Sequence, residues 1–291
     1  MAPSAEIAHI RPDRTLQTAH TRSSKSLTIT KVHEIADSTH RPQDLLSLHH
    51  HTLILNPSFI TTDFDALRFE AAAYNQLPSA DSPYTIPSTP SDSDSDSTSD
   101  RPSPVFSTKL ISSPYNTPGH YLDISALSTP SRLFALALTA LQPTYSRYAT
   151  EPYTQSLNFE TVLSVLRQII TRVAFEWRET SFYVVVFRSQ LRHGVDQDWL
   201  YKLDFESHRE ACESGGLLKY WFGKADLEGE RRNLATCFWH SKADAVTGGA
   251  GPWHAKARRA GRELYASIVF TTHRFTVLDG AEGYRFEDWK D

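Results

Sequence analysis

RRNLATCFWHSKADAVTGGAGPWHAKARRAGRELYAS, residues Arg231–Ser267, decides how the chain folds. Within it, Asn233–Ser241 sets Leu234, Thr236 and Phe238 against Ala235, Cys237 and Trp239, the alternation of a strand. TGGAGP then breaks the chain, and a helix is predicted from about Trp253 to Ala266. Trp253, Ala257, Ala260 and Leu264 lie on one side of it, and His254, Arg258, Gly261 and Tyr265 on another. Outward from there, IVFTTHRFTVL (Ile268–Leu278) reads as a closing strand. LLKYWFGK (Leu217–Lys224), joined by the polar turn DLEGER, reads as the hairpin partner of Asn233–Ser241. Before it, a helix from about Asp198 carries Leu200, Leu203, His208 and Cys212 and stops at Gly215 and Gly216, where a left-handed backbone is free of steric cost. SFYVVVFRSQL (Ser181–Leu191) is apolar on both alternating faces from Phe182 to Phe187, as a central strand covered on two sides must be. The order strand, helix, strand, strand, helix, strand is a ferredoxin-like βαββαβ unit. The fold class expected is α+β, with one sheet face left to become a ligand chamber or a protein interface.

The N-terminal portion repeats part of that rhythm. SLTITKVHEI (Ser26–Ile35) and TLILN (Thr52–Asn56) read as strands. DFDALRFEAAAYNQL (Asp63–Leu77) reads as a helix capped by Asp63. VFSTKLI and HYLDISAL read as strands, followed by a helix from about Pro130 to Leu141. This portion is expected to be an α/β region, one form of which is a diverged second copy of the C-terminal unit packed on the same sheet. NFETVLSVLRQIITRVAFEW (Asn158–Trp177) is a core helix with one broad apolar face and Asn158 as N-cap. The segments expected are a disordered tail (1–24), an N-terminal α+β portion (25–77 and 105–178), a disordered Ser/Asp/Pro-rich insertion (78–104), the ferredoxin-like unit (179–280) and a C-terminal tail (281–291). The insertion has almost nothing apolar to repay the entropy of ordering. Its SDSDSDSTSD core would suit an acid-directed kinase, although a solvated loop tip is the commoner explanation.

The 291 residues carry a net charge of -4, and the pI is near 6.3. There is no general basic field for nucleic acid. Two cysteines, Cys212 and Cys237, are too few for a disulfide framework and fit a reducing, cytoplasmic setting. No apolar run reaches about 18 residues, so no membrane span is expected. His49, His50 and His51 are consecutive and would alternate sides of a strand, and no other cluster has zinc spacing, so no structural metal is expected.

SGGLLKYWFG (Ser214–Gly223), NLATCFWHSKADA (Asn233–Ala245) and GPWHAKARRAGRELY (Gly251–Tyr265) resemble an uncharacterised fungal protein family over most of the ordered chain. The strand ending in Trp239, the S-x-x-D-A helix start and the later histidine also resemble the antibiotic-biosynthesis-monooxygenase group of dimeric α/β barrels, over the last hundred residues. That second resemblance implies a sheet-lined chamber for a small apolar or aromatic ligand. It carries over no catalytic residue and implies no cofactor.

Five residues are the candidates for such a chamber. His254 is the catalytic acid or base, while Tyr220, Phe222 and Trp239 line the wall and Arg188 pairs with an anion. The commoner roles are a helix-start histidine bonded to local backbone and aromatic residues in a core. Gly248, Gly249 and Gly251 before a helix bearing Lys256, Arg258, Arg259 and Arg262 could cradle an anion, as in an acyl-coenzyme A transferase, but match no phosphate-loop pattern; a plain connection is the commoner explanation. Ser189, His193 and Asp196 suggest a triad, yet a strand-end loop explains all three. The leading function is small-molecule binding, with cofactor-independent catalysis as its enzymatic form. The competing class is a non-enzymatic module that dimerises or holds a partner through the open sheet face.

Overall fold

A computed structural model describes residues 54–77 and 106–290. The tail 1–24, the Ser26–Ile35 segment, His49–His51 and the insertion 78–104 lie outside the described residues.

The C-terminal unit is built from β5 (Thr180–Leu191), α5 (Gln197–Ser214), β6 (Leu217–Phe222), β7 (Arg232–Trp239), α7 (Pro252–Leu264) and β8 (Tyr265–Val277). The sheet order β6-β7-β5-β8 with every pair antiparallel is that of the ferredoxin-like fold. The segment expected to be a C-terminal tail instead forms a fifth strand, β9 (Tyr284–Asp288), against the second half of β8. A turn with Gly280 at φ 62 reverses the chain and makes this hairpin. A further short helix, α6 (Lys242–Gly248), starts where Ser241 accepts the Asp244 N–H. Helix α5 begins with Asp196 accepting the N–H of Trp199, and ends at Gly215 and Gly216, at φ 79 and 77.

The N-terminal portion does not form a second βαββαβ copy among the described residues. Its strands pair as two separate ladders: β1 (Ile54–Leu55) with β2 (Phe106–Ser107), and β3 (Lys109–Ile111) with β4 (Tyr121–Asp123). The helix expected over Asp63–Leu77 is interrupted. Asp63 does cap α1 (Phe64–Phe69), but Ala71 at φ 51 breaks it, and Ala72–Gln76 continues as a 3-10 turn. The Gln76 side chain then bonds both ways to the backbone of Ile111, at 2.7 and 3.1 Å, stitching together the two flanks of the insertion.

This portion packs on the sheet instead of copying it. Helix α2 (Thr129–Ala137) is followed by the one-turn α3 (Tyr153–Ser156), and α4 (Phe159–Arg172) then lies over the face of Phe182, Val184 and Val186. Phe134 of α2 stacks on Phe182 at 4.4 Å, and Phe159 of α4 meets Phe275 at 5.2 Å. The alternate face of β5, with Tyr183, Val185 and Phe187, belongs to a second cluster under α5. The two-sided cover read from Phe182–Phe187 is therefore observed, and the chain itself supplies it.

Two expectations about α4 are corrected. It stops at Arg172 because Ala174 takes φ 49 and the Phe175 N–H turns back to the Ile170 carbonyl; Trp177 is still buried, beyond the helix. Asn158 does not cap it by side chain. Its amide bonds Gln142 N and Ala140 O, fixing the preceding loop.

Candidate functional site

Two four-residue steps along α5 place Asp204, His208 and Cys212 on the face turned to the sheet. Facing them are Tyr220 and Phe222 on β6 and the β3–β4 loop Ser112–His120, from which Tyr115 and His120 are fully buried. Asn116 ties this loop down by donating to the carbonyls of Pro57, Ile60 and Thr61.

The Asp204 carboxyl accepts the hydroxyls of both Tyr115 and Tyr220. Burial raises its pKa, and the two phenol bonds work against that rise. Burial, with the nearby Asp204 charge, raises both phenols in turn, so they stay protonated donors. Next to them His120 Nδ1 meets His208 Nδ1 at 2.8 Å, so one ring donates and the other accepts. Burial holds His120 down at about 4 and His208 well below its ordinary value. The Cys212 sulfur lies 3.6 Å from the His208 ring, and burial pushes its thiol up to about 12, away from thiolate chemistry. Phe64, Phe205 and Phe222 surround the Tyr115 ring at 5.2–5.7 Å between centroids. Among the described residues, no group of three or more His, Cys, Asp or Glu is arranged to hold a metal ion.

The sequence-selected residues divide. Tyr220, Phe222 and Trp239 share the α5 side of the sheet. Arg188 lies with Val184 and Val186 on the opposite face, where its guanidinium donates to the carbonyls of Ala149 and Glu151 at 2.5 and 2.6 Å. It therefore does not meet the other four. His254, in the first turn of α7, bonds through Nδ1 to Glu210 at 3.0 Å, and is close enough to act electrostatically on Asp204 and His208.

The glycine tract has a different occupant from the one its sequence suggests. The N–H groups of Trp253 and His254 at the α7 N-terminus go to the Glu210 carboxylate, at 2.7 and 3.1 Å. Burial pushes Glu210 up, but these two N–H bonds and the His254 side chain outweigh it, and its pKa is lowered overall. A Cβ at Gly251 would come within 2.2 Å of that carboxylate, and one at Gly248 within 2.3 Å of the Trp239 ring. These two glycines thus permit close approach. Asp196 is occupied as the α5 cap, and Ser189 sits in the ladder between Asn233 and Ile268, so neither forms a triad.

Two open grooves, of about 480 and 430 Å³, lie elsewhere. One is lined by Ile170, Phe175 and Trp177, the other by Phe69, Tyr145 and Tyr148, and neither includes the five chamber residues. None of the described helices is long and apolar enough to cross a membrane.

By its strand order the protein is a ferredoxin-like α+β unit, extended by a fifth strand and roofed by its own N-terminal portion. The chain belongs to the PB2B2.08-like family, whose profile matches residues 111–288, from the root of the Ser112–His120 loop to the end of β9. UPF0643 protein PB2B2.08 of Schizosaccharomyces pombe is 37% identical over 198 residues, covering 64% of this chain and 89% of the relative. Among solved structures, a Nitrosomonas europaea protein assigned as an antibiotic biosynthesis monooxygenase is similar over 31% of this chain and 86% of its own, at 10% identity and a TM-score of 0.28. SnoaB from Streptomyces nogalater, described as a cofactor-independent oxygenase, is similar over 31% and 89%, at 13% identity and a TM-score of 0.27.

Proposed function

We propose that the chain binds a small aromatic or phenolic molecule beneath α5, with Asp204 and Tyr220 gripping its hydroxyl and the His120–His208 pair as the neighbouring proton carriers. The observation that carries this reading is the Asp204 carboxyl held between two phenol hydroxyls inside a ring of aromatic side chains. Ionisable groups shifted by burial and gathered on one helix face are the usual raw material of a binding or acid–base site. Tyr115 fills the position that a ligand phenol would take, so entry requires the Ser112–His120 loop to yield. His254, Phe222 and Trp239 stand at the margin of this site, as its outer wall.

A thermal-shift screen of the full chain against phenolic and aromatic metabolites tests the proposal. A ligand should raise the melting temperature of the parent, raise it more in Tyr115→Ala, and lose its effect in Asp204→Asn and Tyr220→Phe. No stabilising ligand in either the parent or Tyr115→Ala, or a shift that survives both of the other substitutions, would sink it. A second reading, a non-enzymatic interaction module, is favoured by one specific observation: both faces of the sheet are filled by the chain's own side chains, which leaves an edge as its open apolar surface.

A further inference from the structure

The sheet ends abruptly along β8. Its second half, His273–Val277, is paired with β9, and the last contact is the Trp289 N–H to the Thr272 carbonyl at 2.9 Å. Upstream of Thr272, no strand among the described residues borders the outer side of β8. That Thr272 contact also fixes which backbone groups face outward. At the two-residue period of a strand, Phe270 and Ile268 present their N–H and C=O to the same open side. On the β5 side the register slips between Ser267 and Tyr265, so the regular free edge is the window Ser267–Thr271.

This window lacks the devices that normally protect an edge. Ala266–Thr272, ASIVFTT, carries no charge and no proline. Ile268, Val269 and Phe270 are 48, 56 and 58% exposed, three consecutive large apolar side chains around one strand. Phe270 has Phe187 beneath it at 5.3 Å, and Val269 lies beside Arg188 in the β5 ladder.

We propose that this edge pairs with the same edge of a second copy of the chain, antiparallel, about a two-fold axis through Val269. The window is symmetric about that residue, bounded on one side by the register slip and on the other by the end of β9. With Val269 facing Val269 of the second copy, the two outward residues, Ile268 and Phe270, lie opposite each other's counterparts. This supplies about four interchain hydrogen bonds of the narrow antiparallel kind. Any other register directs outward groups at inward ones, or calls on Thr272, which β9 already occupies, or on Ala266, which lies at the register slip. A charged partner strand would find nothing to pair with, whereas the uncharged window complements itself. Three half-exposed side chains per copy fall well short of the about 1,200 Å² that a stable interface buries. The pairing is therefore weak and concentration-dependent, with Kd roughly in the 10 μM to 1 mM range. It joins two five-stranded sheets edge to edge and leaves the site beneath α5 in each copy untouched, so it stands independently of the ligand proposal.

Sedimentation velocity of the full chain over roughly 5–500 μM tests it. The parent should shift from monomer toward dimer. Val269→Lys and Val269→Glu, each placing like charges face to face, should stay monomeric, and an equimolar mixture of the two should recover the dimer. Val269→Cys should cross-link to itself under mild oxidation, because directly opposed residues of this non-hydrogen-bonded kind stand about 4.5 Å apart at Cα. Val269 is more than half exposed, so these variants should melt like the parent; Ile268→Thr, which keeps β propensity, should weaken association should either charged variant misfold. A parent that is monomeric throughout, as it would be if another segment or a foreign strand covered the edge, overturns the proposal. So does a dimer that persists in both charged variants, or a mixture that fails to restore it.

Discussion

The two faces of the central sheet are built from alternate residues of the same strands, yet they are chemically opposite. On the face roofed by α2 and α4, Phe134, Phe159, Phe182, Phe238 and Phe275 form a continuous aromatic stack that is 2% exposed or less. On the face beneath α5, buried space is shared by Asp204, His120, His208, Cys212 and two tyrosine hydroxyls. The dry face is held chiefly by buried apolar area, with the Tyr153–Thr236 hydroxyl pair among its few hydrogen bonds. The wet face must find partners for its donors and acceptors, and burial there shifts the pKa values of several neighbouring groups at once. One side of the sheet is thus almost entirely apolar packing and the other carries the ionisable cluster, and substitutions should separate them.

The largest effect belongs to the dry face. Phe134→Ala removes a ring at the centre of the stack and should cost about 3–5 kcal/mol in denaturant unfolding while leaving ligand response at the other face unchanged in any molecule that remains folded.

Lys219 is, beside Arg188, a charged side chain on the dry face, and it sharpens the contrast. It faces the dry side opposite Phe238 and is 1% exposed, and burial holds its amine down at about 7. A folded pKa below the unfolded one means that stability is complete above about pH 10.5 and is lost as pH falls from there toward 7. Lys219→Met should therefore raise stability at pH 7 by on the order of 1–3 kcal/mol, with the gain shrinking toward pH 10.

The wet face should answer to acid. With His120 at about 4 and His208 held well below its ordinary value by burial, the unfolded chain takes up protons from about pH 6.5 downward while the native pair does not. This contribution is complete above pH 6.5 and is lost as pH falls from there toward 4. The Asp204 carboxyl, raised by burial, acts with the opposite sign, and Glu206 and Arg209 add their charges beside His120. The informative quantity is the difference between parent and His120→Asn. The parent should lose on the order of 1–2 kcal/mol more between pH 7 and 5. Equal slopes would remove the pair as an acid-sensitive element.

The smallest effect is expected at the margin. Glu210→Gln weakens the anchor of the α7 N-terminus and should cost about 1 kcal/mol in a thermal melt, without altering ligand response.

Legibility in the sequence followed the same division. Alternation along Phe182–Phe187 announced a strand covered on both sides, and the glycine pair Gly215–Gly216 announced the end of α5, because both signals are local. The C-terminal strand β9 was missed, since Tyr284–Asp288 is short and charged and is held in place by β8. The second-copy expectation arose from element order, which says nothing about pairing: β1–β2 and β3–β4 close on themselves. At the site, His208 and Cys212 were placed on the helix from about Asp198, but Asp204 was not singled out, since a lone carboxylate on a helix gives no local signal of burial. Tyr115 and His120 lie about ninety residues earlier in a turn-like stretch, and only tertiary packing brings them beneath α5. Arg188 was recognised as a charge needing a partner, but strand parity puts it on the far face, with two carbonyls for company.

The stitch between Gln76 and Ile111 has a practical consequence. Because Gln76 and Ile111 are tied by the same pair of hydrogen bonds, the described residues on the two sides of the 78–104 segment hold to one another directly, and an insertion within that segment leaves the stitch in place. The segment is a natural splice point, where a reporter domain or protease site could be installed with the sheet and both its faces left as they are.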